Sequence, residues 1–182
     1  FEELNLPAEI LKKLSLETRG LVLLTGSMGS GKSTTIASMV EYINNNARKH
    51  VLTAEEPIEF TFEDKQSIIN QRELGIDVAS YAAALRAFAL QSPDVLFIGN
   101  IRDYDTVSSA MAAAETGVLV LSTLHTINAS QTVERLINFF PPHQHQEVRN
   151  QLSTLLKGVI SLRFVPIIDG AGRIPAYEVM LL

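Results

Sequence analysis

The chain has 182 residues, 46% of them apolar and 19% charged, which is enough for one well-buried domain and excludes collagen-like and wholly disordered chains. A formal net charge of −5 does not favour nucleic acid as a partner, because the field of the whole chain repels a polyanion. The absence of cysteine excludes disulfides and thiolate metal sites.

Amphipathic stretches and short apolar runs alternate along the first half of the chain. The spacing of apolar residues over 6–16 predicts a short amphipathic helix near the start of the chain. Residues 19–25 (RGLVLLT) contain a short continuous apolar run, which is typical of a strand covered on both faces in a parallel sheet. The elements predicted next are a helix over 32–45, a strand over 50–54, two short exposed strands over 58–62 and 67–72, and a helix over 80–90.

The alternation continues to the end of the chain. The remaining elements are a strand over 94–98, a helix over 103–115, a strand over 118–123, helices over 128–138 and 142–156, and closing strands over 159–165 and 174–180 across a turn at 169–172. This order predicts an α/β fold with a mainly parallel sheet flanked by helices, carrying a small antiparallel strand insertion. The longest apolar runs are far shorter than the roughly 20 residues of a transmembrane helix, so no membrane span is predicted.

A glycine-rich motif, GSMGSGKS, lies between the first predicted strand and the helix that follows it. It matches G-x-x-x-x-G-K-[ST], in which backbone N–H groups and a helix start surround phosphate oxygens. A chance glycine turn before a helix is the alternative, which the flanking strand and helix disfavour. Lys32 would contact the β- and γ-phosphates and Ser33 would ligate Mg²⁺. The predicted binding residues are Gly26, Ser27, Met28, Gly29, Ser30, Gly31, Lys32, Ser33 and Thr34.

The ends of two neighbouring strands offer side chains for the reaction. Enzymes with this motif use acidic groups to orient the attacking water or to hold Mg²⁺, and ligands of open α/β sheets bind at the carboxyl ends of strands. Glu55 and Glu56 follow the second strand, although a solvated turn is the alternative for both. Asn100 follows the strand 94–98, where an acid is expected. An amide can hydrogen-bond a water but cannot take its proton.

His125 follows another predicted strand. With the hydroxyl groups beside it, this histidine fits a sensor of the γ-phosphate, and a simple backbone partner is the alternative. Arg72, Arg86 and Arg102 could contact phosphate in this chain or in a neighbour, or could equally form surface ion pairs. The candidate catalytic residues are Glu55, Glu56, Asn100, His125 and Arg86.

Six segments resemble the secretion ATPase family and, within it, the PilT-type pilus retraction motors: GSMGSGKSTT, TAEEPIEF, NQRELG, SPDVLFIGNIRD, AAAETG and LSTLHT. By position, residues 26–34 are similar to the Walker A loop, Glu55 and Glu56 to the Asp box, Asn100 to the Walker B end and His125 to the His box. The resemblance implies a RecA-like P-loop NTPase core that uses ATP and Mg²⁺. It also implies a homohexamer in the full-length protein, which works on a pilus or secretion platform membrane protein at the cytoplasmic face of the inner membrane.

The chain departs from the family pattern at three positions. Asn100 stands where the family usually has a catalytic Glu, Glu55-Glu56 replaces Glu-Asp, and Leu90 replaces an Arg.

The first hypothesis is an ATP-hydrolysing motor domain whose turnover Asn100 impairs. The second is an ATP-binding regulatory or structural subunit with little turnover, and a phosphotransferase is a third, disfavoured because no Arg-rich lid is visible. Residues 1–182 are expected to form the ATPase domain of a longer protein, without the family's N-terminal PAS-like domain and C-terminal helices.

Overall fold

The computed structural model describes residues 1–168, 170 and 172–182, in which seven strands form one sheet with helices on both faces. The strands are β1 (Gly20–Thr25), β2 (His50–Glu55), β3 (Ile68–Glu73), β4 (Val95–Ile98), β5 (Leu119–Leu124), β6 (Leu156–Pro166) and β7 (Arg173–Leu181). The helices are α1 (Ala8–Ser15), α2 (Lys32–Asn46), α3 (Tyr81–Ala89), α4 (Tyr104–Glu115), α5 (Ala129–Asn138) and α6 (His145–Leu155). Short 3₁₀ turns lie at Glu2–Leu4 and Pro142–Gln144.

The strand order is β3-β2-β4-β5-β1-β6-β7, and all neighbours are parallel except β6 and β7. Thr25 at the end of β1 is in register with Leu124 at the end of β5, and Ala54 of β2 is in register with Ile98 of β4. The segments that follow these four strands therefore leave the sheet at the same edge. This edge is where an open α/β sheet binds its ligands.

Strand β1 shows why the sheet is buried on both faces. Leu21 and Leu23 pack into one core cluster with α3, α4 and α6, whereas Val22 and Leu24 pack into a second cluster with α1 and α2. Side chains alternate between the faces of a strand, so an apolar run such as β1 requires a helical layer on each face. The predicted α/β class with a mainly parallel sheet is confirmed. No described helix combines the length and apolarity that a bilayer crossing requires.

The two predicted exposed strands differ from the observed structure. The second corresponds to β3, which pairs parallel with β2, but residues 58–62 form a loop. That part of the prediction was wrong because the loop N–H groups bond to side chains: Ile58 N donates to Glu73 and Phe62 N donates to Gln71. The antiparallel pair is β6 with β7. Of the predicted turn at 169–172, Asp169 and Ala171 lie outside the described residues.

Candidate functional site

A cleft of about 850 Å³ opens at the carboxyl edge of the sheet. Its walls come from the segments that follow β1, β2, β4 and β5, together with residues from the start of the chain and from the β6/β7 hairpin. Residues that are distant in sequence meet here because the parallel strands all end at this edge. The cleft contains most of the side chains that the sequence motifs predict.

The loop between β1 and α2 forms the floor of the cleft and depends on glycine. Gly26, Gly29 and Gly31 have φ values of 141°, 73° and 92°, which side chains rarely tolerate. A Cβ at Gly26 would lie 2.2 Å from the Leu162 carbonyl oxygen of β6, and one at Gly31 would lie 3.5 Å from the Phe164 ring. The loop is therefore packed directly against β6 as it turns.

Lys32 places its ammonium group inside this loop. Nζ donates to the carbonyl oxygens of Gly26 and Ser27, both at 2.8 Å, and the residue is only 8% exposed. Burial lowers the pKa of Lys32 from its ordinary value. An ammonium has three N–H donors, and these two bonds leave the third for an anionic ligand. The geometry fits the contact with phosphate that the motif predicts.

The first turn of α2 supplies hydroxyl groups to the cleft. Ser33 is half-buried and Thr34 is exposed, and both line the cleft, whereas the Thr35 hydroxyl donates back to the Gly31 carbonyl at 2.8 Å. The described residues contain no group of three or more His, Cys, Asp or Glu side chains able to hold a metal ion. Mg²⁺ often combines a few protein oxygens with substrate phosphates and water, and Ser33 fits that arrangement.

Glu55 and Glu56 are adjacent in sequence but have different surroundings. Glu55 is 6% exposed, and its Oε1 accepts hydrogen bonds from Thr53 Oγ1 at 2.6 Å and Gln71 Nε2 at 3.1 Å. Burial raises the pKa of Glu55, although the hydrogen bonds from Thr53 and Gln71 act to lower it. Glu56 is exposed and pairs with Arg102. The two carboxylates are therefore suited to different tasks, with Glu55 as the buried group that can exchange a proton.

Asn100 lines the cleft directly after the Gly99 turn at the end of β4. Gly99 N donates to the Ala54 carbonyl at 2.8 Å, and the Thr123 hydroxyl donates to the Gly99 carbonyl at 2.6 Å, which fixes this strand end between β2 and β5. Asn100 Oδ1 is buried and has no hydrogen-bond partner among the described residues. A buried oxygen without a donor is unusual, and a ligand or water in the cleft could supply one.

Tyr81 is a site residue that the sequence analysis missed. It is buried at the start of α3 and lines the cleft. Its hydroxyl lies so close to Gly99 that a Cβ at that position would be only 2.8 Å from the hydroxyl oxygen. Burial, assisted by the charge of Glu55, raises the pKa of Tyr81 to about 12, so its hydroxyl remains a donor. The Arg102 guanidinium lies 5.5 Å from the centre of the Tyr81 ring. In sequence, Tyr81 is indistinguishable from any other residue on the apolar face of a helix.

His125 is at the end of β5 and lines the cleft with an exposed side chain. Partial burial and then the charge of Lys32 lower the pKa of His125, while the Gly26 carbonyl opposes them. The ring is therefore neutral at neutral pH. Four residues further on, Ala129 N at the start of α5 donates to Glu178 of β7 at 3.2 Å.

Arg86 does not line the cleft of this chain. It is exposed in the last turn of α3, where the neighbouring Leu85 and Phe88 face the core, and its catalytic role stays a prediction. Arg102 and Arg173 are the arginines that line the cleft among the described residues. Leu90, where the family pattern has an arginine, is 88% exposed.

Comparison with known proteins agrees with the motifs. The family model described as type II/IV secretion system protein matches residues 4–175. The chain is 47% identical over 180 residues to the type IV pilus ATPase PilU of Pseudomonas aeruginosa, covering 99% of the chain and 47% of PilU. It is 45% identical to the type IV pilus retraction ATPase PilT of the same organism, covering 99% of the chain and 52% of PilT.

A crystal structure of the pilus retraction motor PilT with bound ADP matches with a TM-score of 0.95 and 50% identity, covering 99% of this chain and 52% of that one. The chain thus spans about half the length of the relatives that it matches. The resemblance deduced from six short motifs is confirmed by matches that extend over nearly all of these residues. The chain belongs to the type II/IV secretion system protein family.

Proposed function

We propose that this chain is an ATP-binding and ATP-hydrolysing motor domain that powers type IV pilus retraction or a related secretion process. The observation that carries the proposal is the buried Lys32 ammonium, held by two loop carbonyls beneath an open cleft. The names of the PilT and PilU relatives, and the ADP in the PilT crystal structure, support ATP as the ligand.

In this proposal each part of the cleft has a separate task. The loop N–H groups and Lys32 bind the β- and γ-phosphates. Ser33 would hold a Mg²⁺ ion, which would supply positive charge against those phosphates. Glu55 accepts the proton of the attacking water. Asn100 Oδ1, which has no hydrogen-bond partner among the described residues, accepts a hydrogen bond from that water. His125, neutral and next to Lys32, reports the presence of the γ-phosphate by hydrogen bonding.

A second function is favoured by one observation. Asn100 occupies the strand end where the family pattern has a carboxylate, and an amide cannot take a proton from water. An ATP-binding regulatory or structural subunit would bind MgATP with ordinary affinity but hydrolyse it very slowly. Measuring the hydrolysis rate beside the binding affinity separates the two functions.

The assembly and its location are further parts of the proposal. The full-length protein would form a homohexamer and act on a pilus or secretion platform membrane protein at the cytoplasmic face of the inner membrane; the names of the PilT and PilU relatives support the pilus part of this proposal. We propose that residues 1–182 act within that protein as its RecA-like ATPase domain.

The test is calorimetric titration of the protein and its Lys32→Ala variant with MgATP. The variant should bind at least about tenfold more weakly, because hydrogen bonds to charged groups contribute about 1.5–3 kcal/mol each. Lys65→Ala is the control, because Lys65 pairs with Glu41 on the surface. Equal affinities for the protein and Lys32→Ala would contradict the assignment of the loop.

A further inference from the structure

Gln71 of β3 connects three parts of the structure through one side-chain amide. Its Nε2 donates to the Phe60 carbonyl at 2.8 Å and to Glu55 Oε1 at 3.1 Å, and its Oε1 accepts from Phe62 N at 3.1 Å. The Phe60 and Phe62 groups belong to the loop that follows Glu55. Both ends of the amide are therefore used.

These partners leave the amide a single orientation. Phe62 N–H can only donate, so it must face the amide oxygen, and the Phe60 carbonyl can only accept, so it must face the nitrogen. Rotating the amide by 180° would oppose donor to donor and acceptor to acceptor. Glu55 consequently always faces an N–H group, which stabilises its ionised form.

The contact occupies one oxygen of Glu55 and leaves the other available. Oε1 accepts from both Thr53 and Gln71, whereas Oε2 has no hydrogen bond within the described part of the chain, and Glu55 lines the cleft. A carboxylate held through one oxygen presents the other in a fixed direction.

We propose that Gln71 is a positioning residue, which fixes the Glu55 carboxylate for proton transfer and ties it to the loop over residues 58–62. The inference rests on the proposed function, in which Glu55 takes the proton of the attacking water. The loop has a second anchor, because Ile58 N donates to Glu73 Oε2 at 2.9 Å. Phe60 of the same loop lines the cleft, so a displacement of its carbonyl pulls on the amide that holds Glu55.

Charged and titratable groups surround Glu55 on several sides. Glu59 of the loop and Glu73 of β3 raise the pKa of Glu55 further, after burial, whereas the Thr53 and Gln71 donors lower it. The pKa of Tyr81 in α3 is raised by burial and then by the charge of Glu55, and Tyr81, Lys32 and Arg102 line the same cleft as Glu55. Loss of the Gln71 donor should therefore raise the pKa of Glu55.

The first experiment measures steady-state MgATP hydrolysis for Gln71→Leu, Gln71→Glu and the control Asn70→Leu. Gln71→Leu removes every bond of the amide, whereas Gln71→Glu keeps an acceptor for Phe62 N–H and loses the donor to Glu55. Asn70 is the neighbouring amide of β3 and bonds His50, at 3.1 Å, away from the cleft.

Both Gln71 variants should lower kcat about tenfold or more with KM changed less than about twofold, because misplaced groups act mainly on the transition state. Asn70→Leu should keep kcat within about twofold of the unmodified chain. A Gln71→Glu variant with unchanged kcat would show that the donated hydrogen bond is not needed, and would overturn the inference.

The second experiment does not depend on turnover. The carboxyl titration of Glu55, followed by ¹³C NMR, should shift to higher pH in Gln71→Leu and stay unchanged in Asn70→Leu. An unshifted titration in Gln71→Leu overturns the inference even if the protein is an active ATPase. Conversely, a protein that does not hydrolyse ATP refutes the proposed motor function, and the titration still decides whether Gln71 controls Glu55.

Discussion

Asn100→Glu tests the chemistry of the cleft most directly. Asn100 follows Gly99, whose built Cβ would lie 3.3 Å from the Ala54 carbonyl oxygen and 3.4 Å from Glu55 Cα. The end of β4 is therefore packed beside the residue that carries the buried carboxylate. A glutamate here adds a carboxylate beside Glu55 and replaces an oxygen that has no hydrogen-bond partner in the described part of the chain.

The size of the effect follows from the chemistry of proton transfer. A positioned general base contributes about 10²- to 10⁴-fold, which is about 2.7 to 5.4 kcal/mol of the activation free energy. Glu55 already supplies one carboxylate, and like charges raise each other's pKa, so only part of that range is expected. We expect kcat to rise about tenfold or more, with nucleotide affinity little changed, because the gain belongs to the transition state.

The assay is steady-state ATP hydrolysis by the assembled full-length protein, with calorimetric MgATP binding as its companion. Glu55→Gln and Glu56→Gln are measured in parallel, because they remove each existing carboxylate while keeping its shape. Glu56 is exposed and pairs with Arg102, so comparing Glu56→Gln with Glu55→Gln shows which of the two carboxylates the reaction uses. An Asn100→Glu variant with unchanged kcat, together with an inactive Glu55→Gln, would refute Asn100 as the limiting defect.

Two further predictions concern the loop and the histidine. Gly26→Ala should lower the free energy of unfolding by about 2 kcal/mol or more in urea titrations, because its methyl group overlaps the Leu162 carbonyl. Gly75→Ala should lower it less, because no atom of the described residues, apart from its chain neighbours, lies within 4 Å of a Cβ at Gly75. His125 should titrate below its ordinary pKa of 6.5 by ¹H NMR, and Lys32→Ala should move it upward. The contribution of neutral His125 to the free energy of unfolding is then complete above pH 6.5. It is lost as the pH falls through the lower pKa that His125 has in the folded protein. A titration at or above 6.5 would contradict that environment.

The sequence predicted those features that local physical chemistry dictates. The run within residues 19–25 is apolar from Leu21 to Leu24, the side chains that the two helical layers cover, and the glycines after it permit the positive φ values that the loop adopts. Glu55, Asn100 and His125 all line the cleft, because the carboxyl ends of parallel strands converge whatever the details of their connections.

The missed features depend on contacts between distant residues. Residues 58–62 alternate like a strand, but their N–H groups are taken by Gln71 and Glu73, which no local pattern reveals. Tyr81 reaches the cleft only because Gly99 has no side chain to exclude its hydroxyl. Glu55 is the last residue of β2 and is buried, whereas Glu56 lies beyond the strand and is exposed, a difference that two adjacent glutamates in the sequence do not reveal.

The close approach of Gly26 to β6 has a mechanical consequence. Strand β6 packs against the glycine-rich loop through the Leu162 carbonyl, and its hairpin partner β7 accepts a hydrogen bond from the start of α5 through Glu178. Because there is no room for a methyl group between Gly26 and the Leu162 carbonyl, a displacement of β6 would be passed directly to the loop. A displacement of the β6/β7 hairpin at the outer edge of the sheet would therefore reach both the glycine-rich loop and the start of α5, which lies four residues after His125, and a movement of either segment would reach that edge in turn.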